Sequence, residues 1–307
     1  MTNSSSAPII GFALGSGASR GWSHVGVIKA LLRAGVEPDV VCGTSVGAMV
    51  GGAYIAGNLE KLENWVLGST RSDVLRFFDL KFSQAGFVSV ERMNRFLHDY
   101  VAAADLRIED LSKKYAAVSA ELQTGREYWF RTGELANAIR ASMAMPGLFP
   151  AVYHDQRWLV DGGLVNPVPV SACRALGADI VIGVNLNADI IRKRTKKAPA
   201  VKEQKDEGVL SNLKQQARQY SDSLFPPDRK KNEAPGMFSA VSSSINIFQD
   251  RITRSRLAGD PADVLLSPRL GDIGILEFSR AGEAMKEGED CVSNAMSEIR
   301  RVVGLSD

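Results

Sequence analysis

Apolar and polar positions along the first fifty residues switch between two periods. Ile9–Leu14 is a short unbroken apolar run bounded by glycines, the pattern of a strand buried on both faces. Past GSGASRG, the segment Trp22–Ala34 spaces Val25, Ile28, Leu31 and Leu32 along one helical face, and Gly35 ends it. Val40–Cys42 repeats the strand pattern, and Ser45–Ala56 is a helix rich in Gly and Ala that can pack closely. This alternation predicts a mainly parallel sheet with helices on its faces.

Downstream, Lys61–Leu67 and Val90–Tyr100 read as helices, and Ala116–Leu122 and Glu127–Arg131 flank Thr124-Gly125 as a hairpin. Ala136–Ser142 is a short helix before the Pro146-Gly147 break, and His154 with Asp155 falls in a turn. Arg157–Val160 is a strand running into Asp161-Gly162-Gly163, and Val168–Leu176 with Asp179–Val184 forms another helix–strand unit. The pattern changes after Asn187. Residues 189–235 string IIRKRTKKAPAVKEQKDE and PPDRKKNEAP around one helical stretch, Val209–Leu224, and read as a mobile excursion. Ser239–Leu257 and Leu276–Val303 are mainly helical, with one strand near Val264–Leu266, and no internal repeat is present. The expected organisation is an α/β core over 9–187, a charged excursion over 188–235, and a helical portion over 236–307 packed on the same domain.

Composition narrows the class. The 307 residues are 45% hydrophobic and 23% charged, which suits a globular chain with a substantial core. Lys and Arg number 37 against 35 Asp and Glu, so the net charge of +2 argues against a nucleic-acid partner. Cys42, Cys173 and Cys291 are odd in number and far apart, which predicts reduced, buried thiols and neither a disulfide framework nor a metal cluster. Met1–Pro8 lacks a basic leader, and the longest weakly polar run, Val46–Gly57, is shorter than the roughly 20 residues a membrane helix needs. A soluble, cytoplasmic chain is the expectation, and peripheral contact at the inner membrane face, through the Lys/Arg cluster at 192–205, is the alternative.

Two motifs carry candidate chemistry. Gly43-Thr44-Ser45-Val46-Gly47 is a G-x-S-x-G between a strand and a helix, the context in which a serine hydroxyl projects from the sheet edge as a nucleophile. The competing reading of Ser45 is a helix N-cap. Gly15-Ser16-Gly17-Ala18-Ser19-Arg20-Gly21 can present backbone N–H groups to an anion, either a phosphate or the oxyanion of a tetrahedral intermediate. A dinucleotide site would need an acidic residue near the carboxyl end of the second strand, but Asp39 lies at its amino end and no Walker lysine follows the glycines. His24, His98 and His154 are the only histidines, and none lies late enough for a Ser…Asp…His order. Asp161, at the end of an apolar strand and beside Gly162 and Gly163, is the candidate general base; an ordinary Asp-Gly turn is the alternative. Asn166 either helps hold that turn or serves only the Asn-Pro step. No set of His, Cys and carboxylates has ligand spacing, so no metal or other cofactor is expected and activity should be independent of calcium.

With these blocks in hand, the chain resembles the patatin-like phospholipases, particularly bacterial members related to the neuropathy-target-esterase catalytic domain. The matching blocks are GSGASRGWSHVGV (15–27), GTSVGAMVGGAYIAG (43–57), AIRASMAMPGLFPAV (138–152) and DGGLVNPVP (161–169). The resemblance implies a three-layer α/β/α sandwich and a Ser–Asp dyad that hydrolyses acyl esters of lipids through an acyl-enzyme. It carries the nucleophile to Ser45, the base to Asp161 and the oxyanion hole to the backbone around Gly17 and Ala18, within the stretch Gly15, Ser16, Gly17, Ala18. The family commonly has three consecutive glycines where this chain has Ser16, Gly17 and Ala18. Arg20 is placed either to neutralise a lipid phosphate or to fix the loop through carbonyl contacts, with Gly43 and Gly47 supporting the serine turn. A non-catalytic lipid-binding protein of the same fold is the alternative function. Val74–Phe78 and Phe82–Val88 would line an acyl channel, form a lid or pack in the core.

Overall fold

The computed structural model describes residues 7–69, 89–189, 237–275 and 277–305. The expectations for Val74–Phe78, Phe82–Val88, the Val209–Leu224 helix and the 192–205 basic cluster lie outside the described residues.

Eight strands form one mixed sheet in the order β5 (Val152–His154), β6 (Arg157–Asp161), β3 (Lys114–Glu121), β2 (Val40–Thr44), β1 (Ile10–Leu14), β7 (Ile180–Val184) and β8 (Val264–Leu266), with β4 (Glu127–Phe130) also paired to β3. The pairings β1–β2, β1–β7, β2–β3 and β7–β8 are parallel. Those of β3 with β4, β3 with β6 and β5 with β6 are antiparallel. β1 and β2 are buried at every position, as their unbroken apolar runs require of central strands.

Successive residues of each strand serve opposite faces, which produces two cores and three layers. Phe12, Leu14, Val41 and Ile182 face the larger core, together with α1 (Ser23–Arg33), α2 (Val46–Ile55), α3 (Leu59–Gly68), α4 (Val90–Tyr100), α5 (Leu135–Ser142) and α8 (Ala281–Val303). Ala13, Cys42, Ala116 and Val118 face a smaller core covered by α6 (Val170–Ala175), with Leu257 of α7 (Met237–Gly259) packed against it. No helix among the described residues is long and apolar enough to cross a membrane.

Two local readings change. The His154 segment is a strand rather than a turn, and it pairs with β6 through the two-residue turn Asp155-Gln156, where both residues take positive φ without a glycine. The first helix is preceded by a 3-10 turn over Ala18–Trp22, so the regular helix begins at Ser23.

Because a strand has only two edges, the pairing of β3 positions the site. Val118 pairs with Thr44 of β2 and with Trp129 of β4, while Ser119 pairs with Asp161 of β6 and with Tyr128 of β4. β4 therefore occupies one edge of β3, and β2 and β6 share the other, end to end. The last residue of β6 thus arrives beside the residue that follows β2.

Candidate active site

Ser45 sits between β2 and α2 with φ 58° and ψ −123°, a conformation that L residues rarely adopt. The first turn of α2 closes on the Ser45 carbonyl, which accepts from the Ala48 and Met49 amides at 2.9 and 3.2 Å. The approach demands glycine on both sides: a Cβ on Gly47 would strike the Leu14 carbonyl, and one on Gly43 would strike the Ala48 backbone. The Ser45 side chain makes no N-cap hydrogen bond, so the helix-capping reading of this serine fails. Its hydroxyl donates instead to Asp161 Oδ2 at 2.5 Å.

The Ser45 amide donates to Ser142 Oγ at 2.8 Å, and that hydroxyl donates onward to the Val118 carbonyl at 2.5 Å. Ser142 is fully buried at the end of α5 and ties the strained turn to β3. No motif marks it as a site residue; only its place in the block 138–152 drew attention to the segment.

Asp161 is 2% exposed and has ordinary backbone angles. Its amide donates to the Ala144 carbonyl at 3.0 Å, and its Oδ1 accepts from the Gly163 amide at 2.7 Å. Burial pushes its pKa up to about 6, against the opposing effect of the bonds from Ser45 and Gly163. The Asn166 amide donates to the Gly162 carbonyl at 2.9 Å, and the Asn166 carbonyl accepts from Thr44 Oγ1 at 2.8 Å. Asn166 Nδ2 donates to Glu127 Oε2 and Ser171 Oγ, each at 3.0 Å. Asn166 thus clamps the Asp161 turn to the residue that precedes Ser45.

The glycine loop flanks the same point. Gly15 donates its amide to the Val184 carbonyl at 3.1 Å and Ser16 to the Pro167 carbonyl at 2.8 Å, so neither is available as an oxyanion donor. For Gly15 the cause is sheet pairing, which runs one residue past the end of β1, and Ser16 is held by the segment that leads into α6. Among the described residues, the Gly17 and Ala18 amides keep no such acceptor, and Ala18 adopts φ 50°. His24 Nε2 donates to the Gly15 carbonyl at 2.8 Å, and complete burial lowers the His24 pKa to about 4, partly offset by that bond. A neutral imidazole that braces the loop is the result.

Arg20 is 3% exposed, and its guanidinium donates to the Ile273 carbonyl at 3.0 Å and to Asn187 Oδ1 at 2.8 Å. Burial lowers its pKa to about 10, against the attraction of Asp189. Of its two expected roles, the geometry supports the loop-fixing one. Asn187 Nδ2 in turn donates to the Ser16 carbonyl and to Gln249 Oε1, both at 3.2 Å. Asn187 and Gln249 carried no sequence signal, since they meet the loop only across long stretches of chain.

A cavity partly open to solvent lies over Ser45 and Asp161. Aromatic rings of Trp22, Trp65, Phe96 and Phe278 form part of its wall, with Trp65 and Phe96 centroids 4.6 Å apart. Met49, Met93, Met143 and Met145 supply flexible apolar surface, and Ala18 borders the cavity beside Ser45. Apart from Ser45 and Asp161, the lining side chains are apolar, which suits a hydrocarbon chain.

The chain is similar to several known proteins. The chain is 32% identical to an uncharacterised NTE family protein of Mycobacterium tuberculosis, over 95% of this chain and 92% of that protein. It is 34% identical to lysophospholipase NTE1 of Yarrowia lipolytica, over 60% of this chain but 13% of that much longer protein. Among solved structures, VipD from Legionella pneumophila aligns with a TM-score of 0.47 and 14% identity, over 96% of this chain and 67% of that one. Residues 12–174 match the family described as patatin-like phospholipase, more than half of the chain and a span that includes Ser45 and Asp161, and the chain belongs to that family.

Proposed function

We propose that this protein hydrolyses acyl esters of lipids, with Ser45 as nucleophile and Asp161 as general base. The observation that carries the reading is the 2.5 Å hydrogen bond from Ser45 Oγ to Asp161 Oδ2 at the floor of an apolar cavity. The lysophospholipase name of the Yarrowia relative supports a lipid ester as the substrate class.

The steps follow from the geometry. Ser45 Oγ attacks the ester carbonyl as its proton passes to Asp161, and the Gly17 and Ala18 amides receive the developing oxyanion. The positive end of α2 lies beneath the same point and favours the charge. Collapse of the intermediate breaks the C–O bond to the alcohol, which takes the proton from Asp161 and leaves Ser45 acylated. Water then attacks the acyl-enzyme and gives its proton to Asp161, and Ser45 departs with that proton as the fatty acid is released. Asp161 is suited to the role because burial raises its basicity while leaving it largely ionised at neutral pH.

A fluorophosphonate probe tests the assignment. The wild-type chain should be labelled and should turn over a p-nitrophenyl acyl ester, and Ser45→Ala should lose both. Labelling that persists in Ser45→Ala overturns the nucleophile, and a wild-type chain that neither labels nor turns over any acyl ester returns the protein to a lipid-binding role.

A further inference from the structure

Ser16 has no role in the mechanism above, since its amide is engaged by Pro167 and its carbonyl by Asn187. Its hydroxyl is nonetheless buried in a residue 2% exposed, and it has no hydrogen-bond partner. Buried hydroxyls in folded proteins are overwhelmingly satisfied, so an orphan beside a reactive carboxylate calls for a function.

The missing side chain of Gly163 defines what surrounds it. The point where a Gly163 Cβ would sit lies 3.0 Å from Ser16 Oγ, 3.0 Å from Asp161 Oδ1 and 2.5 Å from Gln249 Nε2. Two donors and the base's second oxygen therefore converge on one spot that only glycine leaves open. Gln249 is itself 4% exposed, and its Oε1 is already held by Asn187 Nδ2, which directs the amide nitrogen away from Asn187. The three groups come from the glycine loop, the β6 turn and α7, which are far apart in the chain.

We infer that Ser16 and Gln249 are positioning residues for the general base, supplying hydrogen-bond donors to Asp161 Oδ1 while Oδ2 works on Ser45. Ser16 Oγ makes no hydrogen bond as it stands, and a rotation of its hydroxymethyl or one bridging water would complete the contact. Either arrangement stabilises the ionised carboxylate and holds its plane while the Oδ2 proton is exchanged. The Gly163 amide takes one of the two lone-pair sites of Oδ1, and Ser16 and Gln249 share the other. The assignment rests on Asp161 being the base, but its effect on the carboxyl group is measurable without any turnover.

Several ionisable groups on the surrounding elements are engaged elsewhere, and Arg251 of α7 is exposed. Arg20 is held by Asn187 and Ile273 beside Asp189, and His24 by the Gly15 carbonyl. On α7, Asp250 pairs with Arg254, and Arg256 pairs with Glu127 of β4. The shift of Asp161 has its causes in burial and in its own bonds to Ser45 and Gly163. A change at Ser16 or Gln249 should therefore be read at Asp161 alone.

The test titrates Asp161 by the ¹³C shift of its carboxyl group in the full chain carrying Ser45→Ala, then adds Ser16→Ala or Gln249→Leu. Each added substitution should raise the Asp161 midpoint by about half a unit or more, and the pair together should raise it further than either alone, as expected of donors that stand in for each other. In the catalytically intact chain, Ser16→Ala should move the acid limb of kcat/KM for a p-nitrophenyl ester upward by the same amount with KM unchanged, and Ser16→Thr should restore it. An unchanged Asp161 midpoint in both single variants overturns the inference, whatever happens to activity. If Ser16→Ala fails to fold, Gln249→Leu alone decides the matter by the same shift. Loss of all esterase activity in the wild-type chain with the midpoint shifts intact would strike the proposed reaction and leave the positioning role standing.

Discussion

Ser45 and Asp161 both close strands that share one edge of β3, yet the structure holds them by opposite means. At Ser45 the unfavourable feature is a strained backbone, with positive φ in a non-glycine residue. At Asp161 the backbone is relaxed, and the unfavourable feature is a carboxyl group with 2% exposure and a pKa pushed up to about 6 by burial. One turn stores its tension in dihedral angles and the other in desolvation. Each is tolerated because rigid neighbours over-determine it: Gly47 against Leu14, Ser142 against Val118, and Asn166 bonded to both turns.

The largest effect should come from neutralising the electrostatic side of this contrast. Asp161→Asn should lower kcat by a factor of about 100 to 10,000, the usual contribution of a general base. The stability change has the opposite sense. The folded pKa of about 6 lies above the ordinary value of 3.8, so the stabilising contribution of this group is fully present below about pH 3.8 and is lost as pH rises through about 6. At pH 8 the ionised group therefore weakens the fold by up to about 3 kcal/mol, and Asp161→Asn should melt at or above the wild-type temperature there, with the difference gone by pH 4. A variant that is active, or that is less stable than wild type only at high pH, would break the distinction between the two turns.

On the strained side, Gly47→Ala forces a methyl group into the Leu14 carbonyl and should destabilise the chain by about 3 kcal/mol or more in denaturant unfolding. A neutral outcome would mean that α2 is free to shift and that the Ser45 turn is not over-determined. Ser142→Ala leaves the Ser45 amide and the Val118 carbonyl without their shared partner. It should cost about 1–3 kcal/mol of stability and lower kcat several-fold with KM unchanged. An equal change in KM would assign Ser142 to the cavity rather than to the turn. The smallest effect belongs to Ala18→Gly. Removing a Cβ from a residue at φ 50° relieves about 1 kcal/mol of left-handed strain, partly offset by the greater freedom of glycine in the unfolded chain. A modest rise or no change in melting temperature is expected, and a marked fall would show that the loop does not hold that conformation.

How much of this could be read in advance differs between elements. β1, α1, β2 and α2 were all indicated by apolar runs, helical spacing and glycine punctuation, because both faces of central strands must be apolar and a helix must present one apolar stripe. β5 was not, since its three residues include an exposed Tyr153 and a half-buried His154 and its turn contains no glycine. Asp161 could be placed at a strand end, but the sequence offered no reason for β6 to run antiparallel to β3. Ser142, Asn187 and Gln249 had no motif at all, because an isolated polar residue in an apolar or charged stretch looks the same whether it is buried or solvated.

The local code of this chain therefore determined the elements around the site and the residue types able to do chemistry there, since periodicity, turn formation and the need for glycine act over a few positions. Tertiary structure decided the rest. Ser45 and Asp161 are 116 residues apart, and their contact depends on β4 taking one edge of β3 so that β2 and β6 meet on the other. Which loop amides are already bonded was decided in the same way, by the pairing of Gly15 with β7 and of Ser16 with Pro167. Hydrogen-bond partners and burial are properties of the assembled sheet, and no stretch of sequence holds them alone.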